Sequence, residues 1–286
     1  MKQNKWKPCI GWIFFIAAFG FFCFQIGYFF LHARYQVEYV DNRLFYVINA
    51  LCIGFLTFAL LLLLTRSKKW NLIIVGAAAV FIFIHMISLI QTNQQVKNIT
   101  SISPDFQHVF AVKKDMDSGN GVFYRSHFDI LGRQKERLPD EIGNTYTVKW
   151  LANDVAVFTY KGKNNHIQQF VGTYGDRGSG VSYYEVGPVI QGKWNKGNVQ
   201  VISNKDGITV VENNATELFG WDQVKQFGTL AVVLMCGNEA EWTISLNEDF
   251  KVRPETLDAP TGTISLYKAT LKKQKPIVLH YINGQD

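Results

Sequence analysis

Three long apolar runs occupy the first third of the chain, at residues 9–31, 44–65 and 70–91. Each is about 22 residues long, and a helix needs about 20 to cross the hydrocarbon of a bilayer. A helix also satisfies its own backbone polar groups, which lipid cannot do. The pattern predicts a membrane domain over residues 1–95 with three transmembrane helices. A cleaved signal peptide is the alternative for the first run, but that run is too long and two more follow it.

From residue 96 onward the pattern changes to short runs that alternate between apolar and polar positions. Residues 96–105 are polar and predict a stalk, and residues 106–286 predict a mostly-β domain, as a sandwich, a barrel or a small propeller-like fold. Asp206-Gly207 between two β-branched runs predicts a hairpin. Residues 215–228 predict one short helix. The predicted strands are Gln107–Lys113, Val122–His127, Tyr146–Trp150, Val155–Tyr160, Ile167–Tyr174, Val181–Val186, Val199–Ser203, Ile208–Glu212, Trp242–Leu246, Thr263–Tyr267 and Ile277–Ile282. The run Leu230–Cys236 predicts a buried strand or a continuation of the short helix.

Charge separates the same two regions and predicts their orientation. The formal net charge is +6, and residues 1–95 hold eight of the 29 Lys and Arg but only Glu38 and Asp41 among the 23 acids. The remaining 21 basic residues are therefore matched by 21 acidic ones. Basic residues without acids lie before the first run and between the second and third, and such segments stay in the cytoplasm. We expect the N-terminus inside the cell and the β-rich domain outside.

Composition also narrows the class of protein. The excess basic residues flank apolar runs, which argues against a nucleic-acid partner and for the lipid bilayer. The four cysteines include only Cys236 in the β-rich part, so no disulfide can form within that domain. The lack of such bridges favours a bacterial cell envelope. No cysteine and histidine cluster has the spacing of a metal site, and we expect no cofactor.

Two stretches of the β-rich region carry a partial repeat. Ser103-Pro104-Asp105 precedes a strand and a turn, and Trp150 to Asp154 precedes another, although Ala152-Asn153-Asp154 replaces Ser-Pro-Asp there. This resembles the Pro-Asp repeats of TolB-type β-propellers over about residues 101–174. The resemblance implies a binding platform and no particular chemistry. Gly192-Lys193-Trp194 is similar to the Gly-x-Trp of the first strand in lipocalins, but three residues in mid-domain do not define a family.

Candidate chemistry in the β-rich region is sparse. Asp115 to Gly121 is similar to an oxygen-rich calcium loop, but Ser126 stands where the bidentate Glu would be, so a hairpin turn is favoured. Residues 172–180 are glycine-rich without the Lys of a phosphate loop, which favours a surface loop. The remaining candidates for a site formed only in three dimensions are Asp105, Asp154, Asp176, Arg177, His108, His127, His166 and His280.

Within the apolar runs, Gln25 and His85 are polar, and such groups in a membrane are often functional. For His85, the simpler interpretation is that the neutral ring forms a hydrogen bond to a neighbouring helix. Gly20, Gly27, Gly54 and the run from Gly76 to Ala79 would allow close helix contacts.

Three function classes follow. The first is a non-catalytic membrane protein that presents an extracytoplasmic binding or sensing domain to a protein or envelope ligand. The second is a subunit of a membrane complex, such as a transporter accessory, a signalling component or an immunity protein. The third, an extracytoplasmic enzyme, would need titratable residues that converge in a pocket.

Overall fold

A computed structural model describes residues 6–127, 130–175, 185–251 and 259–282, without the side chain of His127. The chain forms two compact units. The first contains residues 1–100, 111–118 and 122–136, and the second contains residues 101–110, 119–121 and 137–286. The apolar helices therefore share a unit with part of the β-rich segment, whereas the sequence predicted a boundary at residue 95.

The three predicted helices are confirmed as long apolar helices. They are α1 Trp6–Tyr35, α2 Arg43–Leu63 and α3 Lys68–Gln95, and each is long and apolar enough to cross a membrane. Helix α1 packs along α2, and α3 contacts α2. Gly11 makes the first contact close, because a Cβ there would lie 2.8 Å from the Leu63 side chain. Most of the remaining apolar surface of the three helices is exposed.

A five-stranded sheet in the first unit is joined to the helices at both edges. Its strands are β1 Val37–Tyr39, β2 Val96–Ile102, β3 Val109–Asp115, β4 Gly121–His127 and β5 Leu131–Arg137, in the order β1-β5-β4-β3-β2. Edge strand β1 connects α1 to α2, and edge strand β2 follows directly from Gln95, the last residue of α3. The segment predicted as a stalk, 96–105, thus contains a strand, because β-branched Val96, Ile99 and Ile102 favour one.

A three-stranded antiparallel sheet lies in the second unit, formed by β6 Tyr146–Ala152, β7 Val155–Lys161 and β8 Ile167–Thr173. All three strands agree with the predicted ones to within two residues. The sheet packs on the last part of the chain through buried polar groups. The Gln169 amide nitrogen donates to Thr159 Oγ1 at 3.0 Å, and Thr243 Oγ1 donates to the Gln169 amide oxygen at 2.6 Å.

The last nine strands form one antiparallel sheet that curls into a near-barrel. They are β9 Gly192–Lys196, β10 Val199–Asn204, β11 Gly207–Glu212, β12 Ala215–Phe219, β13 Val224–Phe227, β14 Ala231–Cys236, β15 Glu239–Leu246, β16 Thr263–Lys268 and β17 Ile277–Ile282. The first strand, β9, pairs with the last, β17, and the sheet is open between β12 and β13. A short helix, α4 Val186–Val189, precedes β9.

The interior of the near-barrel is filled by side chains. Trp194 and Trp242 are almost wholly buried, together with apolar residues of nearly every strand. Trp194 Nε1 donates to the carbonyl of Ile190 at 2.8 Å, which satisfies its one polar atom. A filled barrel is a packed core, not a ligand cavity.

The short helix predicted for residues 215–228 is wrong: β12, a 3₁₀ turn at Trp221–Gln223 and β13 occupy them. Pairing with β11 and β14 outweighs the weak helical pattern of this segment, as tertiary context often does. Of the strand predicted for Val181–Val186, residues 181–184 lie outside the described residues, and Val186 begins the short helix.

Candidate functional site

Polar side chains gather at two places, one in each unit. The first is a junction between the helices and the five-stranded sheet, made of Gln25, Glu38, Tyr39, Lys113 and Tyr124. The second is an open cleft of about 400 Å³ in the second unit, lined by Pro139, Asp140, Asn164, His166, Gln168, Lys225, Met235 and Asn238.

At the junction, a buried lysine reaches across the five-stranded sheet to an acid from the α1–α2 connection. Lys113 on β3 is only 6% exposed, and its Nζ donates to Glu38 Oε2 at 2.6 Å. The same Nζ lies 4.4 Å from the centre of the Tyr124 ring on β4. Strand β5 lies between β4 and β1, and its Gly132 stands opposite Glu38. A Cβ at Gly132 would meet Tyr124 Cβ at 3.3 Å, so a glycine fits this close approach.

A second set of hydrogen bonds fixes β1 to the helices. Tyr39 on β1 donates its hydroxyl hydrogen to Gln25 Oε1 at 3.0 Å. Gln25 Nε2 in turn donates to the Phe45 carbonyl at 3.1 Å and to Asn49 Oδ1 at 3.0 Å, both on α2. The Tyr39 ring stacks on Tyr28 of α1, with ring centres 4.2 Å apart. Gln25 therefore has the structural role expected of a polar residue between packed helices.

Burial and pairing act against each other in the electrostatics of the junction. Burial lowers the pKa of Lys113 from its ordinary value, although the neighbouring Glu38 carboxylate opposes this. For Glu38, desolvation would raise the pKa, but hydrogen bonds from Lys113 and Tyr124 and the Lys113 charge outweigh it, so the pKa is lowered. Burial raises the pKa of Tyr39 to about 12. Glu38 is thus held as a carboxylate beside the buried lysine.

The cleft lies between hairpins of two different sheets. One wall comes from the β7–β8 turn and the segment at residue 140, and the other from β13 and the β14–β15 turn. Gln168 Nε2 donates to the Asn238 carbonyl at 2.5 Å, and Ile167 N donates to Glu239 Oε1 at 3.0 Å. These two bonds tie the walls together.

The titratable groups of the cleft are oriented by backbone groups. Asp140 accepts hydrogen bonds from the backbone N–H of Glu141 at 2.8 Å and of Lys163 at 3.3 Å. Gly162 leaves room for this carboxylate, because a Cβ there would lie 1.9 Å from Asp140 Oδ2. Glu239 Oε2 lies 3.5 Å from His166 Nδ1, and the pKa of Glu239 is lowered, chiefly by the bond from Ile167 N.

Of the scattered candidate residues whose side chains the structure describes, only His166 lies in the cleft. His108 stacks on Tyr174 with ring centres 4.9 Å apart, Asp105 accepts from Ser103 Oγ at 2.5 Å, and His280 is exposed on β17. Asp176 and Arg177 lie outside the described residues, as do residues 178–180 of the glycine-rich stretch. In the described part of the chain, no three His, Cys, Asp or Glu residues are grouped so as to hold a metal ion.

The stretch from Asp115 to Gly121 is a hairpin connection between β3 and β4, as the favoured interpretation predicted. Asp115 Oδ1 accepts from the backbone N–H of Asp117 at 3.1 Å and of Ser118 at 2.7 Å. The carboxylate therefore closes the turn by the local hydrogen bonding typical of aspartate.

His85 contacts the neighbouring helix through its ring. Its Nδ1 lies 3.2 Å from the Phe81 carbonyl one turn earlier, and its ring stacks on Phe81 with centres 4.1 Å apart. On α2, the rings of Phe45 and Tyr46 are 6.5 and 6.1 Å away. The hydrogen bond of His85 therefore lies within α3, not with a neighbouring helix as the simpler interpretation predicted, and only ring contacts reach α2.

No family model, curated protein or solved structure matches the chain. The resemblance of residues 101–174 to TolB-type repeats therefore stays a prediction.

Sequence reasoning missed most of both sites. Glu38 and Lys113 are 75 residues apart in the chain, and Lys113 lies in a strand that reads as an ordinary amphipathic one. Lys113 follows four apolar residues and precedes Lys114 and Asp115, so the strand has a polar end and the sequence gives no sign that this lysine is buried.

Proposed function

We propose that this chain is a non-catalytic, multi-pass membrane protein that presents a β-rich binding or sensing domain outside the cell, at a bacterial envelope. The helices would lie in the cell membrane with the N-terminus in the cytoplasm. The observation that carries the proposal is the three long apolar helices, whose exposed apolar surface would need lipid around it.

The pairing of β1 supports an outside location for the β-rich region. Because β1 lies between α1 and α2 and pairs with β5, the α1–α2 connection is at the same end of the helices as the sheet. The opposite end carries Lys7, Arg66, Lys68 and Lys69, with no acid. By the rule that basic connections remain in the cytoplasm, that opposite end is inside.

Binding is favoured over catalysis by the contents of the cleft. Asp140 and His166 do share it, as an enzyme would require. However, both carboxylate oxygens of Asp140 accept backbone hydrogen bonds, and the described residues lining the cleft include no Ser, Thr or Cys nucleophile. Sites that hold a ligand without reacting with it need only such fixed polar groups.

Cysteine labelling of intact cells or spheroplasts tests the topology. Cys236 is exposed and can be kept as the single cysteine after Cys9, Cys23 and Cys52 are replaced by serine. A membrane-impermeant maleimide should label it before lysis. The matched control is Lys68→Cys in a cysteine-free chain, which should react only after lysis. Labelling in the reverse order would contradict the proposal.

The alternative is a subunit of a membrane complex, and one observation favours it. Among the described residues, α3 has no buried side chain. A Cβ at Gly20, Gly27, Gly54 or Gly76 would meet nothing within 4 Å. These small-residue faces are therefore open to helices of another subunit. Photo-crosslinkers at Gly76 and Gly27 should then give protein adducts; recovery of lipid adducts alone would exclude this alternative.

A further inference from the structure

We propose that the cleft is a carbohydrate site that takes one or two sugar residues of a neutral glycan. This inference rests on the proposed function in one respect, since a domain outside the cell would meet such glycans there. The cleft has about 400 Å³, within the range of about 300–1,000 Å³ that is typical of small-molecule sites.

The cleft is formed before any ligand arrives. Its two walls are joined by the hydrogen bonds from Gln168 to Asn238 and from Ile167 to Glu239. The turn that carries Asn164 and His166 is itself closed, because Gly162 N donates to the His166 carbonyl at 2.9 Å and Asn165 N donates to the Gly162 carbonyl at 3.1 Å. A preformed site loses little conformational entropy when a ligand binds, which favours small, weakly hydrophobic ligands such as sugars.

The polar groups of the cleft suit hydroxyl groups. A sugar hydroxyl both donates and accepts a hydrogen bond, so it needs acceptors and donors side by side. Asp140 supplies a carboxylate acceptor, while Asn164 and Asn238 each supply an amide that donates and accepts. His166 adds a ring nitrogen, since Nδ1 is directed to Glu239 and leaves Nε2 for a ligand.

The charges of the cleft disfavour an anionic ligand. Asp140 lines it and Glu239 borders it, whereas Lys225 is the single lysine or arginine among the described lining residues; the Nζ of neighbouring Lys163 is already paired with Glu141 at 2.9 Å. Phosphate and carboxylate sites usually rely on arginine or several cations, which would have to overcome these two acids. Pro139 and Met235 provide a small apolar surface against which the C–H face of a sugar ring can pack.

Isothermal titration of the full chain in lipid nanodiscs tests the inference, because nanodiscs avoid competition from sugar-based detergents. The probes are glucose, N-acetylglucosamine, maltose and diacetylchitobiose at millimolar concentration, with sodium phosphate and glycine as charged probes. At least one sugar should bind. Asn164→Ala and His166→Ala should each weaken that binding by about fivefold or more, as expected for one lost hydrogen bond.

The matched controls are Asn144→Ala and His280→Ala, at exposed positions that do not line the cleft, and both should bind as the unchanged chain does. Three results would overturn the inference: no heat with any sugar, sugar binding that ignores the cleft variants, or phosphate or glycine binding in place of sugar. These outcomes are independent of the Cys236 labelling. The titration tests the kind of ligand, and the labelling tests the topology, so either proposal can fail without the other.

Discussion

The five-stranded sheet and the nine-stranded near-barrel are stabilised in opposite ways. The near-barrel encloses an apolar core around Trp194 and Trp242. The five-stranded sheet is crossed by a charged contact between Lys113 and Glu38, and its edges continue into helices. Apolar burial does not depend on a charged group and is insensitive to pH, whereas a buried charge is costly once its partner is lost. We therefore expect the two sheets to respond to different perturbations.

The largest effect should come from Trp194→Ala, because this substitution removes a fully buried tryptophan, the largest type of side chain, from the near-barrel core. Truncation of a buried aromatic residue costs about 3–5 kcal/mol of the free energy of unfolding. Hydrogen exchange of the full chain in nanodiscs should show lost protection in strands β9 to β17 and little change in β1 to β5. Trp221→Ala is the control, because Trp221 is 38% exposed. Equal loss in both sheets would mean that the two do not differ as described.

The next largest effect should come from Glu38→Ala, which leaves the Lys113 ammonium buried without its partner. Because Glu38 is partly exposed, we expect a loss of about 1–3 kcal/mol, below that of a fully buried pair. Exchange protection should fall in β1, β3 and β5 but not in the near-barrel. Lys113→Met removes the charge itself and should restore protection when combined with Glu38→Ala. A double variant as unprotected as Glu38→Ala would exclude the buried charge as the cause.

A smaller effect is expected at the open seam of the near-barrel. Trp242 Nε1 on β15 donates to Glu217 Oε2 on β12 at 3.0 Å, which joins the two sides of the opening. Glu217→Ala should cost about 1 kcal/mol, the usual net value of one hydrogen bond. Glu217→Gln keeps an acceptor oxygen and should cost less. Exchange of the β12 amides would measure the difference, and identical behaviour of the two variants would argue against a role for this bond.

The smallest effect concerns pH. The folded chain lowers the pKa of Glu38 from its ordinary value of 4.5, through Lys113, Tyr124 and His32 acting against desolvation. Its contribution to stability is therefore complete above the ordinary pKa and is lost as pH falls through the lowered one. Protection of β1 and β5 should decline over that acidic range, and Glu38→Gln should flatten the decline. If protection of β1 and β5 declines with pH equally steeply in the Glu38→Gln variant and the unchanged chain, another titrating group causes the decline.

The sequence predicts the helices and most strands because both depend on local patterns. A long apolar run predicts a membrane helix and a β-branched run predicts a strand, whatever each one contacts in the fold. By contrast, β1 has three residues, and its partner β5 is more than 90 residues away. Strand β5 is also rich in Arg, Lys and Glu, so its composition indicates a loop. Pairing between such distant segments cannot be read from either one alone.

The residues of the candidate cleft also come from distant segments, so the cleft could not be predicted from any one of them. His166 was one of several scattered histidines in the sequence, and only the meeting of the β7–β8 and β14–β15 turns brings it near Asp140 and Lys225. Gly192-Lys193-Trp194 begins β9, the strand that pairs with the last one, and the sequence did not indicate that pairing. Neither feature follows from local propensity, because the cleft depends on contact between two sheets and the β9–β17 pairing depends on closure of the near-barrel.

The β1–β5 pairing also governs how the β-rich region can be produced for study. A recombinant fragment starting at residue 96 would lack β1, and the backbone of Leu131 to Arg133 would become an open edge. Open edges recruit strands from other molecules. If such a fragment precipitates, the cause would be the absence of β1, the three-residue strand in the α1–α2 connection. It would not mean that the remaining chain is unable to fold.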